Sequence, residues 1–145
     1  MLAKEIAYVD YNGNERKETF YFNLSKAELM EMELSTSGGW QQYMNRIIEA
    51  QNHVELVKIF KELILKSYGE KSDDGKRFIK SQELSTAFSQ TEAYSNLFME
   101  LSTDANAAAA FANGIVPGDV SEEAQKIQKE QDQAALDSSK VIPIK

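Results

Sequence analysis

The chain has 145 residues, 42% of them hydrophobic, and a formal net charge of −7 from 23 acidic and 16 basic side chains. That length suits one domain with a real core, and the acidic balance argues against a nucleic-acid partner, whose binders carry a basic footprint. With no cysteine and a single histidine, His53, neither a disulfide framework nor a thiolate or His-rich metal site can be built. No apolar run approaches the ~20 residues of a membrane span. Met1 to Asp10 contains Glu5 and Asp10 and lacks the apolar stretch of a signal peptide, so a soluble cytoplasmic protein without a membrane partner is expected.

In chain order, residues 4–9 and 16–22 are rich in β-branched or aromatic residues and flank Asn12-Gly13-Asn14, a turn that supplies positive φ. They predict a β-hairpin over 4–22. Two strands alone are marginal in water, so the hairpin must pack on helices or on a partner subunit. Ser25 with Glu28 forms a capping box and starts a helix over Lys26–Leu34, with Leu29, Met30 and Leu34 inward. Ser35 to Gly39 breaks it. Trp40, Tyr43, Met44, Ile47 and Ile48 make an amphipathic stripe on a second helix ending near Gln51. Asn52 caps a third, His53–Tyr68, the most apolar, with Leu56, Phe60, Leu63 and Ile64 on one face and Val57, Ile59 and Leu65 widening it. Gly69 ends it as a C′ residue. Glu70–Gly75 reads as a polar turn. Helices are then predicted over Lys80–Ser89 (Leu84, Ala87 and Phe88 inward), Glu92–Leu101 (Ala93, Tyr94, Leu97, Phe98 and Leu101 inward) and Ala105–Asn113. From Pro117 the composition turns polar, and 117–145 is expected to be a mobile tail or a helix ordered by a partner. The expected fold is therefore mainly α (α+β): a hairpin packed on a bundle of five to six short helices in one domain, residues 1–116, with a helical core over 25–116.

Two stretches resemble ligand loops and fail on count. Five residues separate Gly69 from Gly75 where a phosphate loop has four, and Arg77 follows Lys76 where Ser or Thr would meet magnesium. Ser72-Asp73-Asp74-Gly75 can reach Glu83 as a twelfth calcium ligand, but the intermediate positions do not alternate oxygens. A plain turn with Asx character fits better. His53 has no specified acidic or hydroxyl partner, and Glu28, Glu31 and Glu33 are spaced as a helix surface. Nothing has nucleophile–base–orienter logic, so no enzyme activity, catalytic residue, metal or cofactor is expected. Lys66, Lys71, Lys76, Arg77 and Lys80 form a local basic cluster that reads either as a solvated face or as a contact for an acidic protein surface. Trp40, Tyr43, Phe60, Tyr94, Phe98 and Phe111 fall at helical spacings and read as core rather than a ligand cage, with a surplus over one small core that would leave some for an interface.

Ser67-Tyr68-Gly69-Glu70-Lys71-Ser72-Asp73-Asp74-Gly75-Lys76-Arg77-Phe78 resembles the small tail assembly chaperones of tailed phages and prophages of Gram-positive bacteria. Phe22-Asn23-Leu24-Ser25 with Glu28, Gly38-Gly39, Phe60 to Ile64, Thr91-Glu92-Ala93-Tyr94 and Ala110 to Pro117 extend the likeness over about residues 18–117. The resemblance implies a non-enzymatic protein of the host cytoplasm. Such a protein binds and solubilises the tape measure protein, helps recruit major tail tube subunits, self-associates and is absent from the finished virion. A longer frameshifted product is common in this class, and if one is made here the polar tail from Pro117 is where the two products would diverge or be linked. The alternative class is a structural virion component, of tail completion or connector type, or a small adaptor.

Overall fold

The computed structural model describes residues 1–34, 37–49 and 53–120. Strands β1 (Leu2–Val9) and β2 (Glu15–Phe22) pair antiparallel from Leu2↔Phe22 to Val9↔Glu15. The pleat sends Leu2, Ile6 and Tyr8 inward and leaves Ala3, Glu5, Ala7 and Val9 exposed. The Gly13 amide donates to Asp10 O at 3.0 Å and the Asp10 amide to Asn14 O at 2.9 Å. Gly13 takes φ 84°, whereas Asn12 does not share the positive φ. The connection is thus a three-residue loop closed by a left-handed glycine. The Asp10 carboxylate holds its shape by accepting from the amides of Asn12 and Asn14 and from Arg16 Nε.

Helix α1 (Lys26–Glu31) carries the expected capping box, with Glu28 N donating to Ser25 Oγ (3.2 Å) and Ser25 N to Glu28 Oε1 (3.0 Å). It stops before the expected Leu34. Glu33 adopts φ 60°, its amide donates to Met30 O, and the Leu34 amide donates to Leu29 O, a Schellman closure built on a non-glycine residue. Leu29 is buried and Leu34 packs on the core, but Met30, expected inside, is 68% exposed, since the helical repeat turns it about 100° away from Leu29. Helix α2 (Ser37–Glu49) buries Trp40, Tyr43 and Met44. Its Ile47 and Ile48 side chains, like those of Leu56 and His53 and the proposed Asn52 cap, lie outside the described residues. Helix α3 (His53–Ser67) buries Phe60, Leu63 and Ile64, with Ile59 and Leu65 packed on the core as the wider face requires, but it leaves Val57, expected to widen that face, 44% exposed.

After α3 the structure departs from expectation. Tyr68–Lys71 is a strand, β3, and Phe78–Ile79 another, β4, where the sequence reading had a helix C-terminus and a polar turn. They extend the hairpin into a four-stranded sheet of order β1-β2-β3-β4, through Phe22↔Tyr68 and Tyr21↔Gly69 and then Glu70↔Ile79 and Lys71↔Phe78. Gly69 is therefore not a left-handed helix cap. It is a site of close approach: an added Cβ would lie 2.7 Å from both Ile79 O and the Phe78 ring. The turn between these strands is organised by Ser72 and Gly75, the latter at φ 73°. Ser67, fully buried at the junction, returns its hydroxyl to Leu63 O (2.8 Å) and Ile64 O (3.1 Å), so no buried polar group is stranded there.

Helices α4 (Gln82–Ser89), α5 (Glu92–Thr103) and α6 (Ala105–Gly114) are N-capped by Ser81, Thr91 and Asp104. Phe88 on α4 is the hub of the core. Its ring stacks on Tyr68 (4.3 Å between centroids, 10° between planes) and meets Phe20, Phe22 and Tyr94 within 5.8 Å. Ala87, one residue earlier and expected inside, is exposed, because α4 offers only the Leu84–Phe88 edge to the core. Helix α5 runs along β1 through a polar stripe at i, i+4 and i+8. Glu92 accepts from Tyr11 (2.9 Å), the Asn96 amide donates to Ala7 O (3.1 Å), and Glu100 pairs with Lys4 (3.0 Å). The architecture is α+β, with an N-terminal hairpin packed on helices. Burial continues past Pro117 to Val120, and Asp119 pairs with Lys26 at 2.6 Å. The polar tail lies outside the described residues from Ser121.

Replacing Gly69 by Ala forces β3 and β4 apart or displaces Phe78. We expect a loss of about 1–3 kcal/mol, the usual cost of overpacking, measured as a lower denaturation midpoint at unchanged m-value. Wild-type stability would contradict the close packing.

Candidate protein-docking furrow

The five basic residues adjacent in sequence do not form one patch. Lys71 lies on the outer face of the sheet, with Nζ 4.4 Å from the Tyr21 ring centroid. Lys76 and Arg77 stand exposed on the β3–β4 turn, their amides bound to Asp74 Oδ1 and Ser72 Oγ. Lys66 and Lys80 share a cleft between α3 and α4.

Lys80 is already occupied. Its ammonium donates to Glu28 Oε2 and to Asn23 O, each at 2.5 Å, and sits 5.7 Å from the Phe78 ring centroid. It joins the segment leading into α4 to the end of β2 and the first turn of α1. Burial pushes the Lys80 pKa down, and the nearby Lys66 adds to this against the attraction of Glu28. Burial alone would raise the Glu28 carboxyl, but hydrogen bonds from Lys80 and Ser25 outweigh it and hold it below its ordinary value. Removing one partner of such a pair leaves the other enclosed and unmatched.

The cleft, about 680 Å³, is lined by Lys58, Lys61, Leu65 and Lys66 from α3 and by Gln82 and Ser85 from α4. A second, of about 450 Å³, lies between α3 and α5, with Val57, Tyr94, Phe98 and Met99 as its apolar lining and Tyr11 from the hairpin loop as a wall. Lys61 lines both, so the two adjoin along α3 as a furrow with a basic end and an apolar end. Val57, Lys61 and Leu65 follow one another at i, i+4 and i+8 and run along its floor. Lys58, Lys61 and Lys66 make no ion pair among the described residues. Tyr94 and Phe98, read as core, pack on it with their outer edges half-exposed in this furrow.

Sequence reasoning missed Lys58, Lys61, Val57 and Met99 as surface features. For the three α3 residues the signal is the solvent-facing stripe of that helix, opposite its buried face, whereas Met99 lies exposed on α5. Among the described residues no three His, Cys, Asp or Glu side chains are grouped to hold a metal ion, and no helix is long and apolar enough to cross a membrane.

What the fold defines is a small α+β domain with open surface clefts. Residues 1–142 match the model of the family described as phage tail assembly chaperone, and the chain belongs to that family. No curated protein and no solved structure matches it.

Because the folded pKa of Glu28 is lowered from 4.5, its contribution is fully present above that value and is lost as pH falls through the folded pKa. Glu28→Gln keeps the capping geometry and removes the charge. The stability gap between wild type and this variant, on the order of 1 kcal/mol, should stay constant from about pH 8 to 5.5 and close below about pH 4.5. Urea denaturation across that range measures it. A gap independent of pH would show that the charge contributes nothing.

Proposed function

We propose that this chain binds the tape measure protein of a tailed phage, keeps it soluble and helps gather major tail tube subunits around it during tail morphogenesis. It acts without catalysis, in the cytoplasm of an infected or lysogenic bacterium, with a Gram-positive host following from the resemblance at Ser67–Phe78. The observation that carries this reading is the family match over residues 1–142. The open furrow supports it, since clefts without walls on all sides suit a protein segment better than an enclosed small molecule. The net charge of −7 supports it as well, by keeping a protein with exposed apolar side chains in solution. Several copies on one long client gain by multivalency even when each contact is weak, which gives self-association a role. Within the basic cluster, Lys66 in the furrow and Lys71, Lys76 and Arg77 around β3–β4 are the residues free to meet acidic partner surfaces, while Lys80 serves as an internal strut.

Co-expression with the candidate tape measure protein and a pull-down test this. The client should be recovered soluble and bound only when this chain is present, and purified particles should lack the chain. A client equally soluble alone overturns the proposal. Stoichiometric recovery of this chain in finished particles would make it a structural tail component instead.

A further inference from the structure

We propose that the furrow along α3 holds a short amphipathic helix of another protein, with its apolar side chains at the Tyr94–Met99 end and its carboxylates at the Lys58–Lys66 end. This rests on the reading of the chain as a protein-binding chaperone but requires no particular client.

The walls of the furrow decide the form of the occupant. They come from α3, α4 and α5, whose backbone groups are spent on their own helices. An extended segment would find no strand edge there and would leave its own amides unpaired, whereas a helix satisfies its backbone internally. The span sets its length. Val57 to Lys66 spans ten residues of α3, so over nine steps of about 1.5 Å the floor is about 14 Å long, room for roughly two and a half turns.

Charge sets its chemistry. On a chain of net charge −7, Lys58, Lys61 and Lys66 converge on one cleft with no ion pair among the described residues, and the nearby Glu28 is committed to Lys80. Glu62, on the same helix, is the remaining carboxylate of the lining. An acidic occupant relieves this concentration of positive charge, and a basic one adds to it. The apolar end is equally unbalanced. Val57 and Met99 are 44% and 57% exposed beside half-exposed Tyr94 and Phe98, and methionine adapts readily to varied apolar partners. Tyr11, its hydroxyl held by Glu92, borders that end and adds a further exposed aromatic ring to it.

The test uses the full chain and two fluorescein-labelled synthetic helices that share one apolar stripe, one carrying three Glu and the other three Lys at matching positions, read by fluorescence anisotropy. The Glu peptide should bind and the Lys peptide should not. Lys58→Glu with Lys61→Glu and Lys66→Glu should weaken the Glu peptide by at least about tenfold and admit the Lys peptide. Lys17→Glu with Lys26→Glu, exposed positions on β2 and α1 away from the furrow, should stay within about twofold of wild type. Val57→Ser with Met99→Ser should weaken binding while leaving the charge preference intact. Circular dichroism verifies folding, and Lys→Gln replacements serve where the Glu variants do not fold. Equal loss in the furrow variant and the Lys17/Lys26 control, no binding by wild type, or a DNA oligonucleotide competing as well as the Glu peptide would each overturn the proposal. Peptide binding that survives when the tape measure protein needs no help to stay soluble would separate this site from the chaperone reading.

Discussion

The rest of the structure depends on the place where α3 becomes β3. Ser67 ends the helix and Tyr68 begins the strand with no residue between, and there the chain pairs with the end of the hairpin. The Asn23 amide donates to Ser67 O at 2.7 Å, Phe22 opposes Tyr68, and one residue on the Leu24 amide donates to Ile115 O at 2.6 Å. A two-stranded hairpin is marginal by itself. Here it gains a third strand that is the direct continuation of the central helix, so sheet and helices cannot separate without breaking backbone bonds. The aromatic hub forms on this join, because Phe20 and Phe22 arrive from β2 and Tyr68 from β3 to meet Phe88. Aromatic pairs in such arrangements add about 0.5–1.5 kcal/mol each beyond the area they bury.

That join also fixes the furrow. With the C-terminal end of α3 locked into the sheet, its outer stripe from Val57 to Lys66 has one orientation. Lys80 reaches back to Glu28 and Asn23 and holds the start of α4 beside that stripe, while Phe88 anchors the end of α4 in the core. Helix α5 is placed from the other side by its Glu92, Asn96 and Glu100 contacts to the hairpin. Exposed ion pairs such as Lys4–Glu100 contribute little energy each. Their effect here is to set register between α5 and β1, and so the width of the apolar end of the furrow.

Much of this was legible where the signal is local. Ser25 and Glu28 announce the capping box within four residues of sequence, Asp104 caps the start of α6, and Gly13 marks the hairpin loop. The hairpin-on-helices architecture followed from the two strand patterns and the need to cover them. Strands β3 and β4 were not legible, because four and two residues carry no period and Gly69 reads as a helix stop. They exist through pairing with β2, which is a tertiary fact. The basic cluster was misleading for the same reason: the β3–β4 turn sends residues that are neighbours in sequence to the outer sheet face, the turn and the α3–α4 cleft. Lys58 and Lys61 join Lys66 only through the helical repeat, and a reading directed at the buried face of α3 passed over them. The family was legible through short matches around the α3–β3 junction, and the family model covers that same stretch.

Native-state hydrogen exchange at the join tests the central claim most directly. If hairpin and helices form one cooperative unit held at the α3–β3 junction, the amides of Asn23 and Leu24 exchange only through global unfolding, with the same free energy as denaturant unfolding of the whole domain. Exchange of these amides through a local opening well below the global value, with α3 and α5 still protected, would contradict it and make the hairpin an appendage to an independent helical bundle.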